Sequence, residues 1–134
     1  MSKVIQSSGS RKRAIARATV KSGKGTVRIN HVPLENVTPR YAQLRIMEPL
    51  MLAGDAAKKL DVNVTVEGGG VTSQADAVRL AIARGLVEYT GDDGLRNAYL
   101  QYDRQLLVAD VRVKESSKPN CQGKARARRQ KSYR

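Results

Sequence analysis

The chain has 134 residues, with 25 Lys and Arg against 12 Asp and Glu, a net charge of +13 and a pI of about 10.4, which suits one domain with tails. Its single cysteine (Cys121) and single histidine (His31) exclude an intrachain disulfide and a zinc ligand set, and no Ser/His/Asp or Cys/His catalytic set can be argued from them. There is no Trp or Phe to anchor a basic helix on a membrane surface, and no run approaches spanning length.

The placement of the charge says more than its total. Residues 1–28 hold eight cations and no acid; residues 29–113 hold nine cations against eleven acids; residues 114–134 hold eight cations and only Glu115. A near-neutral middle flanked by two cationic ends suits a polyanionic partner, nucleic acid above all. The start, Met1 to Ser8, lacks the apolar run of a signal peptide, and a reducing, cytoplasmic setting is expected.

In chain order, Val4–Ser8 reads as a short strand and Gly9-Ser10 as a break. Arg11 to Lys21 alternates, with Ala14, Ala16, Ala18 and Val20 on one face and Arg11, Arg13, Arg17 and Lys21 on the other. A half-buried strand with a wet face would show the same period. Four cations on one face without an acid favour a phosphate-facing strip. Ser22-Gly23-Lys24-Gly25 reads as a hairpin turn, with Thr26–Ile29 as the returning strand, and Asn30 to Pro33 as a second turn that holds His31. Thr38-Pro39 has the form of a helix start, Thr as cap and Pro at the first position. A short helix over Arg40–Ile46 is expected to break at Pro49, with Leu50–Ala53 as a second piece ending at Gly54. Met47, Leu50, Met51 and Leu52 are expected as core filler.

Leu60–Glu67 alternates again and directs Val62, Val64 and Val66 to the core. Gly68-Gly69-Gly70 ends that strand. A helix starting at Thr72 or Ser73 then carries the stripe Ala75, Val78, Ile82, Leu86 and Tyr89 as far as Gly91. Asp92-Asp93-Gly94 leads into a short helix over Leu95–Tyr102. Leu106–Val108 and Val111–Val113 form a last apolar run, as strand or loop. Strands, short helices, strand and long helix in that order predict an α+β two-layer sandwich, a sheet with helices on one face. The expected division is a globular domain over 1–113 and a tail over 114–134. That tail has no aliphatic residue larger than Ala, so it lacks the apolar surface to order itself without a polyanion.

Few motifs carry chemistry. Gly68–Gly70 lies between a strand and a helix N-terminus, where free amides and the helix dipole suit a phosphate; a turn needing glycine backbone angles gives the same sequence. No Lys-Ser/Thr pair follows, so it is no P-loop, and the dinucleotide fingerprint is not met. Asp76 with Arg79, and Arg84 with Glu88, have the spacing of surface helix pairs, with Arg79 and Arg84 free to reach outward. Asp92, Asp93, Asp103 and Asp110 lack metal spacing. Tyr133, among cations, is placed either to stack on a base or to stay in solvent.

These residues together resemble ribosomal protein nine of the small subunit, in its archaeal and eukaryotic form, over nearly the whole chain. The resemblance rests on Gly9–Arg17 (Gly-Ser-Arg-Lys-Arg-Ala-Ile-Ala-Arg), Gly23-Lys24-Gly25, Gly68–Gly70 with Gln74–Ala77 and Ala81–Arg84, Asp110-Val111-Arg112, Glu115 and Ala125–Arg134. It departs where the family has Asn-Gly and this chain has Asn30-His31, and where a Lys-Lys pair gives way to Ser117–Cys121. The resemblance implies a fold shared with the second domain of small-subunit ribosomal protein five, with a mixed sheet and a left-handed crossover. It implies a place in the subunit head on 16S rRNA beside other head proteins, with the tail reaching the peptidyl-site tRNA. Charge and resemblance together assign rRNA contact to Arg11, Lys12, Arg13, Arg17, Lys21, Lys24, Gly68, Gly69, Gly70, Arg79, Arg84, Arg112, Lys118, Lys124, Arg126, Arg128 and Arg129. The resemblance assigns tRNA contact to Lys131, Ser132, Tyr133 and Arg134. No enzyme activity, cofactor, metal, membrane or small-molecule substrate is expected. The rival classes are a phosphate-binding kinase of similar fold and a free nucleic-acid module with a histone-like tail. The first would need a cation and metal-binding acids beside Gly68–Gly70; the second would bind naked duplex well on its own and be abundant off the ribosome.

Overall fold

The computed structural model describes residues 1–121 and 125–126. Strands β1 (Val4–Arg11) and β2 (Ala14–Ser22) form an antiparallel hairpin that turns at Lys12-Arg13. Ala14, Ala16, Ala18 and Val20 all face the core, as the alternation requires. The expected break at Gly9-Ser10 is absent: β1 runs through both. Glycine is needed there for proximity, since a Cβ at residue 9 would stand 2.5 Å from the Ala77 carbonyl oxygen.

The expected hairpin after Ser22 is also corrected. Strand β3 (Val27–Ile29) runs beside β5 (Leu60–Glu67) in parallel, while β2 pairs with β5 antiparallel. The sheet order is β1-β2-β5-β3-β4, with β4 at Val32–Pro33. The Ser22–Thr26 loop wraps over the start of β5 instead of closing a pair. Asp61 Oδ1 there accepts from the Lys24 and Thr26 amides at 2.9 and 3.0 Å. Asn30 and His31, with φ of 49° and 67°, make the tight turn between β3 and β4.

Helix α1 (Arg40–Ala53) is one helix that continues through Pro49, with Pro39 as cap residue in place of Thr38. Pro49 is buried, and its carbonyl oxygen accepts from the Tyr99 hydroxyl at 2.7 Å. That packing offsets the missing backbone N–H. Met51 is an exception to the expected core filler, being 73% exposed. A single turn, α2 (Asp55–Lys58), leads into β5, where Val62, Val64 and Val66 are buried as expected.

Helix α3 (Val71–Thr90) starts one residue before the expected Thr72 and ends at Gly91, which takes the left-handed conformation (φ 62°). It lies across β1, β2 and β5, with α1 and α4 (Asp93–Tyr102) beside it. Small residues line both sides of this contact: Ala14, Ala16 and Ala18 from the sheet, Ala77, Ala81 and Gly85 from the helix. A Cβ on Gly85 would reach within 2.8 Å of Ser7 and Val20, and Ser7 Oγ donates to the Ala81 carbonyl at 2.7 Å. All helices pack on one face of the sheet, so the fold is the expected α+β two-layer sandwich. After a short 3-10 turn at Arg104–Leu106, the described chain has no further helix or strand apart from an isolated bridge residue at Arg126, and Val111 and Val113 are exposed.

Candidate nucleic-acid interface

The one-sided packing leaves the opposite sheet face in solvent. The strand register sets out its side chains in rows: Ser10, Ile15 and Glu67; Ser8, Arg17 and Thr65; Gln6, Thr19, Asn63 and Arg28; Val4, Lys21 and Asp61. Period two puts each of them opposite a buried residue. Two shallow depressions mark this face, one lined by Gln6, Ser8, Arg17, Thr19, Asn63 and Thr65, the other by Arg13, Ile15, Arg17, Thr65, Glu67 and Gly68.

At one end of the face stand Lys12 and Arg13, in the β1–β2 turn. The glycine turn Gly68–Gly70 abuts them, since a Cβ on Gly68 would fall 2.5 Å from the Arg13 carbonyl oxygen. Gly68 and Gly69 have φ of 78° and 66°, so turn geometry accounts for both. Gly70 has open space and precedes the first turn of α3, whose leading amides have no side-chain cap at Gly70. Two features that the sequence treats separately are thus one surface.

Of the cations assigned to RNA, Lys12, Arg13, Arg17, Lys21 and Lys24 are exposed and form no ion pair among the described residues. Four other arginines assigned to RNA, Arg11, Arg79, Arg84 and Arg112, have different work. Arg79 does not reach outward: its side chain is 3% exposed and pairs with Glu48 at 2.5 Å and Asp103 at 3.0 Å. Arg84 donates to the Leu107 and Ser8 carbonyls at 3.0 and 3.1 Å, not to Glu88. Arg11 stands 2.7 Å from Asp110, which Arg112 also grips through two side-chain nitrogens. Arg79, Arg84 and Arg11 hold residues 103, 107 and 110 in succession, so they bind the root of the tail to the domain. Asp76, expected to pair with Arg79, pairs instead with Arg45 at 2.9 Å. Desolvation opposes ionisation of Asp103, but the Gln105 amide and Arg79 outweigh it and keep its pKa below the ordinary value. The Arg112 hydrogen bonds, with help from Arg11, hold the Asp110 carboxyl well below the usual carboxylate range.

Farther along, Glu115 pairs with Lys118 at 3.8 Å and Arg126 at 2.8 Å. Lys124, Arg128, Arg129, Lys131, Ser132, Tyr133 and Arg134 lie outside the described residues.

The family model described as Ribosomal protein S9/S16 matches residues 9–134. The chain belongs to the ribosomal protein S9/S16 family. Among its relatives is a small ribosomal subunit protein uS9 from Methanothrix thermoacetophila, 57% identical over 132 residues, covering 98% of this chain and 99% of the relative. Small ribosomal subunit proteins uS9 from two Methanococcus maripaludis strains are each 50% identical over 133 residues, covering 98% of this chain and 99% of each relative. Membership of the S9/S16 family makes the chain a ribosomal structural protein rather than an enzyme, which removes the kinase reading. The described residues hold no acidic or His/Cys cluster fit for a metal, and no helix long and apolar enough to cross a membrane.

For an S9/S16 member, the sequence reading missed the neutral part of the surface. Gln6, Ser8, Asn63 and Thr65, with Arg28, share the open face with Arg17. The signal was present, since each sits at an outward position of an alternating strand, but only charge was followed. Lys3 was missed too: it donates to the Tyr89 carbonyl at 2.7 Å and lies over the Tyr89 ring, fixing the N-terminus on α3.

Proposed function

We propose that this protein is a cytoplasmic constituent of the small ribosomal subunit that holds ribosomal RNA in the subunit head and steadies peptidyl-site tRNA with its C-terminal tip. One observation carries the RNA reading. Cations on the side of the open sheet face are unpaired and exposed, whereas Arg11, Arg79, Arg84 and Arg112 are engaged within the chain. Lys12, Arg13, Arg17, Lys21 and Lys24 contact rRNA phosphates in this reading, with Gly70 and the first turn of α3 beside them. Arg112, exposed over most of its side chain while it grips Asp110, keeps donors for a phosphate. Lys118, Lys124, Arg126, Arg128 and Arg129 follow rRNA along the tail, and Arg pairs fork onto phosphate oxygens.

The globular domain covers residues 1–113 and the tail residues 114–134. Twenty-one residues at about 3.3 Å each span roughly 70 Å when extended, enough to carry Lys131, Ser132, Tyr133 and Arg134 far from the domain. Contacts of this kind position a partner without reading its sequence.

The test uses small subunits assembled with the full chain or with a chain lacking Lys131–Arg134. Peptidyl-site tRNA dissociation is measured at two salt concentrations. Faster loss from the truncated subunits, with normal incorporation and a difference that shrinks at high salt, is the expected result. Equal rates would confine the tail to rRNA, and failure of the full chain to incorporate would overturn the ribosomal role.

A further inference from the structure

We propose that the open sheet face, centred on Ser8, Arg17, Thr19, Asn63 and Thr65, reads double-stranded RNA along its sugar edge. This rests on the RNA-binding reading above and deepens it by naming the form of RNA and the chemistry of contact.

Three observations carry it. First, the face is rich in neutral donors and acceptors at fixed spacing. Ser8, Thr65, Gln6, Thr19 and Asn63 occupy two adjacent rows around Arg17, about 7 Å apart along the strands, with roughly 4.8 Å between strands. None of these side chains has a hydrogen bond among the described residues, so their polar atoms are free for a ligand. Second, among the described residues the face has no aromatic residue. Tyr41, Tyr89, Tyr99 and Tyr102 all lie on the helices. A sheet that stacks unpaired bases presents aromatic rings; this one offers hydroxyls and amides, the groups that meet ribose 2′-hydroxyls in the wide, shallow minor groove of an A-form helix. Third, the charge is arranged for a backbone. Arg17 is central, Arg28, Lys21 and Arg13 stand around it, and Asp61 is taken up by the Lys24 and Thr26 amides, leaving Glu67 as the one acid of this face without a hydrogen bond or ion pair among the described residues.

Continuity fits as well. β1, β2 and β5 are continuous strands of eight, nine and eight residues. Their alanine-lined underside sits directly on α3, which gives the face a stiff backing.

The test compares the full wild-type chain with Thr19→Val/Thr65→Val, which removes two hydroxyls while keeping strand propensity and charge. The probes are an RNA hairpin with a stem of about 16 base pairs, the DNA duplex of the same sequence and a single-stranded RNA. The wild type is expected to prefer the RNA duplex to DNA. The double variant is expected to bind RNA duplex roughly 5- to 30-fold more weakly, for two lost hydrogen bonds, with DNA affinity unchanged. Arg17→Ala is expected to weaken both duplexes alike and flatten the salt slope by about 0.7–0.9. Because the tail adds affinity of its own, a second readout uses small subunits assembled with each chain. Acylation of ribose 2′-hydroxyls should rise at a few paired nucleotides in the double variant at equal protein occupancy. An unchanged RNA affinity together with an unchanged acylation pattern overturns the face assignment alone. Tighter wild-type binding to single-stranded RNA also overturns it. A wild type that binds no RNA and fails to enter subunits overturns the RNA-binding reading beneath it.

Discussion

Gly9 shows how a residue can be misread from local signals. Beside Ser10 it looks like punctuation, yet it stands in mid-strand because α3 passes too close for a side chain. Gly9→Ala should destabilise the fold by about 1–3 kcal/mol through overpacking, whereas Gly70→Ala, with open space around it, should fall within about 0.5 kcal/mol of wild type. Denaturant unfolding of both variants checks the contrast, and equal losses would remove the close-approach argument. Asp110 gives a pH expectation. Its folded pKa is depressed, so its stabilising contribution is fully present above the unfolded value of about 3.9 and is lost only as pH falls through the lower folded value. The Arg11–Asp110–Arg112 cluster should therefore persist from pH 7 down to about pH 4. Following the Asp110 carboxyl resonance by NMR tests this, and a midpoint at or above the unfolded value contradicts it.

Elements with strong internal periodicity were legible in the sequence. β5 has the expected bounds, and α3 has its expected stripe and C-terminal glycine, because those patterns depend only on which face is buried. Pairing was not legible. Gly23 and Gly25 predict a turn but not the partner of the next strand, and β5, encoded some thirty residues later, takes the place beside β3. Helix α1 was misjudged for a similar reason: the contact that accommodates Pro49 comes from Tyr99 on α4. Tyr99→Phe leaves the buried Pro49 carbonyl without the phenol and should cost about 1–3 kcal/mol, measured by thermal or denaturant unfolding. Arg79 binds α3 to Glu48 on α1 and to Asp103 after α4. Arg79→Ala should cost about 2–4 kcal/mol, toward the lower part of the range for buried pairs because its acids are a quarter to a third exposed. It should leave the salt dependence of RNA binding unchanged in the folded fraction. A flatter slope would return Arg79 to the RNA-facing set.

For the whole molecule, charge pattern pointed to a polyanion but could not sort the cations. An arginine that faces phosphate and one that holds Asp103 look the same in sequence, because the acids that distinguish them arrive from other elements. The cationic turn and the phosphate-suited glycine turn were legible; that they adjoin, and that neutral side chains complete the surface, depends on sheet order. If the tail neutralises about six phosphates, log affinity should fall with log salt at a slope near −4 to −5. Replacing Arg128 and Arg129 together by alanine should flatten the slope by roughly 1.4–1.8. Titrations of an rRNA fragment across a salt series measure this directly, and an unchanged slope would take the pair out of the phosphate-contacting set.

The alanine-faced hairpin also has a history in time. β1 and β2 are complete once Ser22 has been made, but the helix that covers them ends at Thr90. At about 5–20 residues per second, synthesis of the intervening chain takes roughly 3 to 14 s. Throughout that interval the nascent hairpin shows an uncovered small-residue face and carries Lys3, Arg11, Lys12, Arg13, Arg17 and Lys21 with no acid among them. Mutual repulsion among these cations opposes edge-to-edge pairing of unfinished chains.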